Sequence, residues 1–205
     1  MAQAVIRYIA LGDSYTIGTG AKEEQAWPVL LTKHLKENKV NIELAANPAR
    51  NGFTTLDLID NELPVLDKLK PTFVTLLIGV NDWVRGTDAV AFQKNLIFIL
   101  DHIQKALPDK SRLVLITIPD FGVTPTGANY SSGRDISKGI SEFNTIIKAE
   151  AVKRSLKTVD LFETSKAMKT NSDLVAEDGL HPSAKEYAIW ETLIYPVVHD
   201  LLGSK

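Results

Sequence analysis

Residues 5–18 read VIRYIALGDSYTIG, and this stretch carries the two signals that decide the fold. Residues 5–11 are apolar and rich in β-branched side chains, which is typical of a strand that is buried on both faces. The apolar run stops at Gly12, and polar residues follow at once, so that Ser14 comes directly after the predicted strand. A buried strand that ends in a glycine-flanked polar turn is typical of a parallel α/β sheet.

The rest of the chain alternates strand signals with helix signals. Short apolar runs predict four further strands, at residues 40–45, 72–78, 112–118 and 156–161. Amphipathic spacing predicts helices at residues 25–37, 54–68 (interrupted or restarted near Pro64), 88–107, 136–155 and 182–202 (with Pro182 in the first turn). Five strands alternating with five helices predict a parallel sheet covered on both faces, and we expect one domain over residues 1–205.

The composition is that of an ordinary globular protein, with 44% hydrophobic and 23% charged residues. The net charge is −2 and acids and bases are mixed along the chain, so nothing predicts a nucleic-acid partner. The absence of cysteine excludes disulfides, thiolate zinc sites and a cysteine nucleophile. No apolar run approaches the ~20 residues that span a bilayer, so we expect no integral membrane segment. The N-terminus lacks a signal-peptide pattern, which favours a cytoplasmic protein or a mature form without its signal.

Ligands of parallel α/β sheets bind beyond the carboxyl ends of the strands, so polar residues there are candidates for chemistry. Ser14 lies in such a place, within the sequence Gly12-Asp13-Ser14-Tyr15. A hydroxyl in this position becomes a nucleophile when a base lies beside it. Taken alone, the Gly-Asp-Ser sequence is more typical of a turn that caps a helix.

The candidate base is His181, which stands three residues after Asp178. Of the four histidines, it alone has a carboxylate at that spacing. The spacing lets Asp178 accept a hydrogen bond from one imidazole nitrogen, while the other nitrogen points outward as a base. An Asp-x-x-His sequence by itself is equally typical of helix capping. The remaining histidines fall within predicted helices and are interpreted as structural: His34, His102 and His199.

Two more strand ends carry groups that suit a developing negative charge. The Asn81 amide can donate a hydrogen bond to an oxyanion, and Gly52 can offer a backbone N–H that a side chain would obstruct. Each also has a simpler interpretation, as a helix-capping turn and as a loop glycine respectively. Asp13 and Asp82 flank Ser14 and Asn81, and we interpret both as groups that fix these loops by hydrogen bonding rather than as acids in the reaction.

Together and in this order, the motifs resemble the GDSL-type, or SGNH, hydrolase family of esterases and lipases. The family is named for a Ser, a Gly, an Asn and a His in four sequence blocks, which correspond here to Ser14, Gly52, Asn81 and His181. Tyr15 stands where the eponymous motif has Leu. The resemblance implies a flavodoxin-like three-layer α/β/α sandwich whose five-stranded parallel sheet has the order 2-1-3-4-5.

The resemblance also implies hydrolysis of carboxylic esters without a metal or other cofactor. The catalytic triad is then Ser14, His181 and Asp178, and the reaction passes through an acyl-enzyme. The Ser14 N–H, the Gly52 N–H and the Asn81 side chain are the expected donors to the oxyanion.

The substrate is a small-molecule ester in this interpretation, and its identity is open. Residues 119–134 (PDFGVTPTGANYSSGR) form a long segment after the fourth strand, and such segments are often functional. Trp83, Phe121 and Tyr130 are candidates to line an acyl or alcohol pocket, or equally to anchor loops to the core. We expect short acyl groups, because no large lid segment is evident.

Two alternatives remain open at this point. A thioesterase, a lysophospholipase or an acyltransferase would use the same residues. A flavodoxin-type binding module would instead use residues 12–20 (GDSYTIGTG) to cradle a phosphate, and it would leave the pairing of Asp178 with His181 unexplained. The oligomeric state cannot be read from the sequence.

Overall fold

The computed structural model describes residues 4–203. Its sheet is parallel throughout and has the strand order 2-1-3-4-5, as predicted. The strands are β1 (Ile6–Gly12), β2 (Ile42–Ala46), β3 (Phe73–Leu77), β4 (Leu113–Ile116) and β5 (Lys157–Val159). Each corresponds to a predicted strand, although most are shorter than the apolar run that predicted them.

Helices cover both faces of the sheet, which confirms the three-layer α/β/α fold. In the described part of the chain the α-helices are α1 (Ser14–Ile17), α2 (Trp27–Glu37), α3 (Thr55–Asn61), α4 (Leu63–Leu69), α5 (Val80–Val84), α6 (Ala89–Ala106), α7 (Ile136–Lys153), α8 (Phe162–Ser165) and α9 (Ala184–Gly203). Helices α2 and α9 pack against each other, and α3, α4, α6 and α7 form a second group of neighbours. None of these helices is long and apolar enough to span a bilayer.

Each predicted helix differs from the structure at one end or more, and two of the differences have a clear physical reason. The helix predicted over residues 54–68 is two helices that meet at Glu62, and Pro64 lies in the first turn of α4, where its missing N–H costs nothing. The last helix begins at Ala184 because Pro182 takes part in an antiparallel bridge with Val175. This bridge closes the turn that carries Asp178 and His181.

The sheet explains why the candidate residues come together. All residues of β3 and β4 are buried because helices cover both of their faces, whereas the edge strands β2 and β5 are partly exposed. The last residues of β1 and β3, Gly12 and Leu77, pair in register. The turn that holds Ser14 and the turn that holds Asn81 therefore leave the sheet side by side.

Candidate active site

Ser14 is the first residue of α1, directly after β1. The carboxylate of Asp13 caps this helix by accepting a hydrogen bond of 3.0 Å from the Tyr15 N–H. Ser14 is 6% exposed, and within residues 4–203 neither its Oγ nor its N–H has a hydrogen-bond partner. The serine thus presents a free hydroxyl and a free backbone donor at a helix N-terminus, where partial positive charge favours an anion.

Two buried carboxyl groups lie beneath this turn. Asp13 is fully buried, and burial raises its pKa to about 8 although the Tyr15 N–H opposes the shift. Glu62 is also fully buried and accepts a hydrogen bond of 3.0 Å from the Gly12 N–H. Burial raises the pKa of Glu62 to about 9, and the nearby Asp13 adds to the shift. Both groups therefore hold a proton for most of the time at neutral pH, and sequence reasoning had not identified Glu62.

Asp178 holds the ring of His181. The two residues are joined by a hydrogen bond of 2.6 Å between His181 Nδ1 and Asp178 Oδ2, and Asp178 Oδ1 accepts from the N–H groups of Leu180 and His181. Burial raises the pKa of Asp178, but these hydrogen bonds outweigh it and keep the pKa below its usual range. Asp178 is therefore an acceptor only, so Nδ1 is the donor and Nε2 remains free as a base.

The turn that carries this pair is fixed from two sides. The Ala176 N–H donates to the His181 carbonyl at 2.8 Å, which closes the turn on itself. From the loop after β4, the Thr126 N–H donates to the Gly179 carbonyl at 3.0 Å. The buried Tyr15 ring meets the imidazole of His181 edge-on, with 6.0 Å between centroids. Tyr15 thus packs against the ring of His181, a contact that its place in the motif did not reveal.

Asn81 lies in the first turn of α5, where Gly79 adopts a φ of +124° and lets the chain turn sharply out of β3. The Asn81 Nδ2 donates to the Phe53 carbonyl at 2.9 Å. This bond fixes which way the amide faces and leaves its second N–H free. Asp82, next in the chain, is 1% exposed and accepts from the Thr55 N–H at 2.9 Å, so it ties α5 to the start of α3. Burial raises the pKa of Asp82 despite its bonds to Thr55.

Gly52 belongs to the same loop as Phe53. It has a φ of +80°, and its N–H has no acceptor within the described residues. Because Asn81 binds the Phe53 carbonyl, the loop and α5 are in direct contact at this point. The three groups expected to hold an oxyanion therefore each carry an unused N–H.

A cleft of about 320 Å³, including its open mouth, brings Ser14, Asn81 and His181 together. Its other walls are mainly apolar or aromatic: Tyr15, Val80, Val84, Phe121, Tyr130 and Leu180. No hydrogen bond joins Ser14 Oγ to His181 Nε2 in this state of the site, which is common before substrate binds. Within residues 4–203, no cluster of His, Cys, Asp or Glu is arranged to hold a metal ion.

The three aromatic candidates have different places. Phe121 and Tyr130 line the cleft, but Trp83 does not, because it is buried behind the wall. The Trp83 ring packs edge-on against Phe121, and the Arg134 guanidinium lies 4.0 Å from the centroid of the Trp83 ring. Val84, the next residue of α5, lines the cleft instead, and no sequence pattern distinguishes the two.

The sequence matches the GDSL-like Lipase/Acylhydrolase family over residues 10–189. The chain is 23% identical to Esterase TesA from Pseudomonas aeruginosa over 95% of this chain and 88% of that protein. It is 32% identical over 122 residues to a multidomain esterase from Ruminococcus flavefaciens, of which the match covers only 15%. It is also 26% identical to Thioesterase 1/protease 1/lysophospholipase L1 from Escherichia coli, over 89% of this chain and 78% of that protein.

Solved structures share the fold. The crystal structure of TesA has a TM-score of 0.75 and 23% identity, covering 96% of this chain and 99% of that chain. A lipase/acylhydrolase from Enterococcus faecalis has a TM-score of 0.76 and 22% identity, with 98% of each chain covered. The family match favours a hydrolase over the alternative of a flavodoxin-type binding module. The chain belongs to the GDSL-like lipase/acylhydrolase family, a family of carboxylic ester hydrolases.

Proposed function

We propose that the chain hydrolyses carboxylic esters with short acyl groups, with Ser14 as nucleophile, His181 as base and Asp178 as its partner. The observation that carries the proposal is the cleft in which Ser14, Asn81 and His181 meet, with the His181 ring oriented by Asp178. An imidazole held at Nδ1 by a carboxylate, beside a free serine hydroxyl, is the arrangement that acyl transfer to serine requires.

In this mechanism the Ser14 Oγ attacks the ester carbonyl and gives its proton to His181 Nε2. The same proton passes to the leaving alcohol, and an acyl-enzyme remains on Ser14. Water then attacks the acyl carbonyl, again with His181 as base, and the carboxylic acid leaves. Asp178 stabilises the imidazolium that forms in each half of the reaction.

The negative charge that develops on the carbonyl oxygen requires donors that are already in place. The free N–H groups of Ser14, Gly52 and Asn81 are the proposed donors. Two of these groups are held in place by other contacts, Ser14 by the capped start of α1 and Asn81 by its bond to the Phe53 carbonyl. Little reorganisation is therefore needed when the charge appears.

The cleft supports the preference for short acyl groups. The space in the cleft that a water-sized group can occupy is only about 50 Å³, well below the ~300–1,000 Å³ of common ligand pockets, so the cleft suits a small acyl group. Its apolar side chains suit an alkyl group such as acetyl or butyryl.

A thioesterase or lysophospholipase with the same residues is the second candidate. It is favoured by the name of the Escherichia coli relative, which is called a thioesterase and a lysophospholipase. Parallel assays of matched oxyesters and thioesters with the same acyl group separate it from an esterase. A thioester rate that exceeds the oxyester rate by tenfold or so would overturn the preference for esters.

The direct test is hydrolysis of p-nitrophenyl acetate and butyrate by wild type and by Ser14→Ala, with the folding of both checked by circular dichroism. We expect the variant to lose about 10⁴-fold or more in kcat without a change in fold. A fluorophosphonate probe, which should label wild type and not the variant, tests the nucleophile without assuming the substrate. Equal turnover or equal labelling of the two proteins would show that Ser14 is not the nucleophile.

A further inference from the structure

Arg85 follows the last residue of α5, and its side chain contacts the loop that contains Gly52. Its Nη2 donates to the Gly52 carbonyl at 2.7 Å. Its Nη1 lies 3.5 Å from Asp57, a carboxylate that also caps α3 through Thr54. The Arg85 side chain is 58% exposed, so the ion pair with Asp57 is screened by water and contributes little to stability.

The loop that Arg85 contacts is a tight turn over residues 50–53. The Phe53 N–H donates to the Arg50 carbonyl at 3.2 Å, and Gly52, at the third position, has a φ of +80°. Asn51 has no positive φ, so the turn is of type II. In such a turn the peptide between Asn51 and Gly52 makes no hydrogen bond within the turn, and its N–H is free to bind an external oxygen.

Asn81 in α5 and Arg85, which directly follows α5, hold consecutive carbonyls of this turn. Arg85 binds the Gly52 carbonyl and Asn81 binds the Phe53 carbonyl, and the two residues are four positions apart. The turn is therefore attached to α5 at two adjacent peptides. Because Gly52 has no side chain to restrict it, the direction of its N–H depends on such external contacts.

We propose that Arg85 is a positioning residue of the oxyanion hole: it holds the Gly52 carbonyl, which belongs to the peptide after the Gly52 N–H, and so restricts the rotation about Gly52 that would turn this N–H away. The inference rests on the proposed function, since it assigns the Gly52 N–H a role in the reaction. The guanidinium donates from a rigid planar group, so lysine cannot reproduce the geometry fully. It also places a positive charge beside the site where the oxyanion forms.

The test compares Arg85→Met and Arg85→Lys with wild type on p-nitrophenyl butyrate. We expect Arg85→Met to lower kcat by about 10- to 100-fold, because a displaced donor loses much of its effect in the transition state. KM should stay within about twofold, since the substrate carbonyl carries little charge before attack. Thermal unfolding should be unchanged, and Arg85→Lys should recover part of kcat.

Arg50→Met is the matched control. Arg50 is exposed, lies two residues before Gly52, and its side chain has no partner within residues 4–203. Its removal takes one positive charge from beside Gly52, as Arg85→Met does, without touching the Gly52 carbonyl, and we expect kcat to be unchanged. An equal loss of kcat in Arg50→Met and Arg85→Met would overturn the positioning role in favour of a general field effect.

The Ser14→Ala variant, assayed in parallel, separates the two proposals. Full activity of Arg85→Met beside an inactive Ser14→Ala overturns the role of Arg85 and leaves the proposed function intact. Wild-type activity that does not depend on Ser14 overturns both. A loss of kcat in Arg85→Met that is accompanied by a matching loss of thermal stability also overturns the positioning role, because the change is then structural.

Discussion

The nucleophile side and the base side of the site are built differently. Ser14 and Asn81 stand at the ends of buried strands, above Asp13, Glu62 and Asp82, which are at most 1% exposed. On the base side, the side chain of Asp178 is 43% exposed and that of His181 is 16% exposed. The proposed base, His181, therefore lies in a surface turn, whereas the proposed nucleophile, Ser14, belongs to the core.

This difference separates two kinds of effect. Changes beneath the nucleophile remove buried hydrogen bonds and should affect both folding and activity. On the side of His181, water can partly replace the hydrogen bonds that a substitution removes, so the free energy of folding should change little. Such a substitution still alters the tautomer and orientation of His181. Substitutions beneath Ser14 should therefore lower activity and stability together, whereas substitutions beside His181 should lower activity with little effect on stability.

The largest effect is expected from Asp178→Asn. The amide can donate to Nδ1, which would place the imidazole proton on Nε2, where the base is needed, so kcat should fall by about 10²- to 10⁴-fold. The free energy of unfolding should barely change, because the side chain is half exposed. Asp173→Asn, an exposed aspartate on the same side of the molecule, is the control and should leave kcat unchanged. Full activity of Asp178→Asn would remove Asp178 from the mechanism.

Asn81→Ala should lower kcat by about 10²- to 10³-fold through the loss of one donor to the oxyanion. Steady-state kinetics on p-nitrophenyl butyrate measures this directly. Asn95→Ala is a suitable comparison, because Asn95 donates to Thr55 Oγ1 and has no place in the cleft. A similar kcat for the two variants would mean that the Asn81 amide only stabilises the loop.

Asp82→Ala tests the buried side of the comparison. It leaves the Thr55 N–H without its acceptor, so the free energy of unfolding should fall by about 1–3 kcal/mol. Urea unfolding measures the change. Asp60→Ala, on the exposed face of α3, should have no effect. If Asp82→Ala is as stable as Asp60→Ala, the two sides of the site do not differ as proposed.

The smallest effect concerns the pH dependence of stability. The pKa of Glu62 is about 9 in the folded protein and near 4.5 in the unfolded chain. The contribution of protonated Glu62 to the free energy of unfolding is fully present below pH 4.5 and is lost as the pH rises towards 9. Between pH 6 and pH 7, wild type should lose up to about 1.4 kcal/mol relative to Glu62→Gln, which cannot ionise. Parallel stability curves for the two proteins would contradict a protonated Glu62.

The sequence alone determined the order of elements and most of the site. Short apolar runs predicted the strands of the sheet, most clearly β3 and β4, because strands that are buried on both faces are largely apolar along their length. The positions of Ser14 and Asn81 followed from the rule that polar residues after such strands meet at one edge, and His181 was distinguished by the carboxylate three residues before it. Their chemistry is local to short motifs, so the motifs suffice to identify them.

Only the tertiary structure decided what surrounds these residues. Three of the surrounding contacts are hydrogen bonds to backbone groups, which are the same at every residue and leave no pattern in the sequence. They join Glu62 to the Gly12 N–H, Arg85 to the Gly52 carbonyl and Asn81 to the Phe53 carbonyl. Val84 rather than Trp83 lines the cleft because of how a short helix is rotated, which five residues are too few to specify by periodicity. Sequence patterns report which side chains are buried or reactive, whereas the direction of a peptide group depends on the packing of the whole fold.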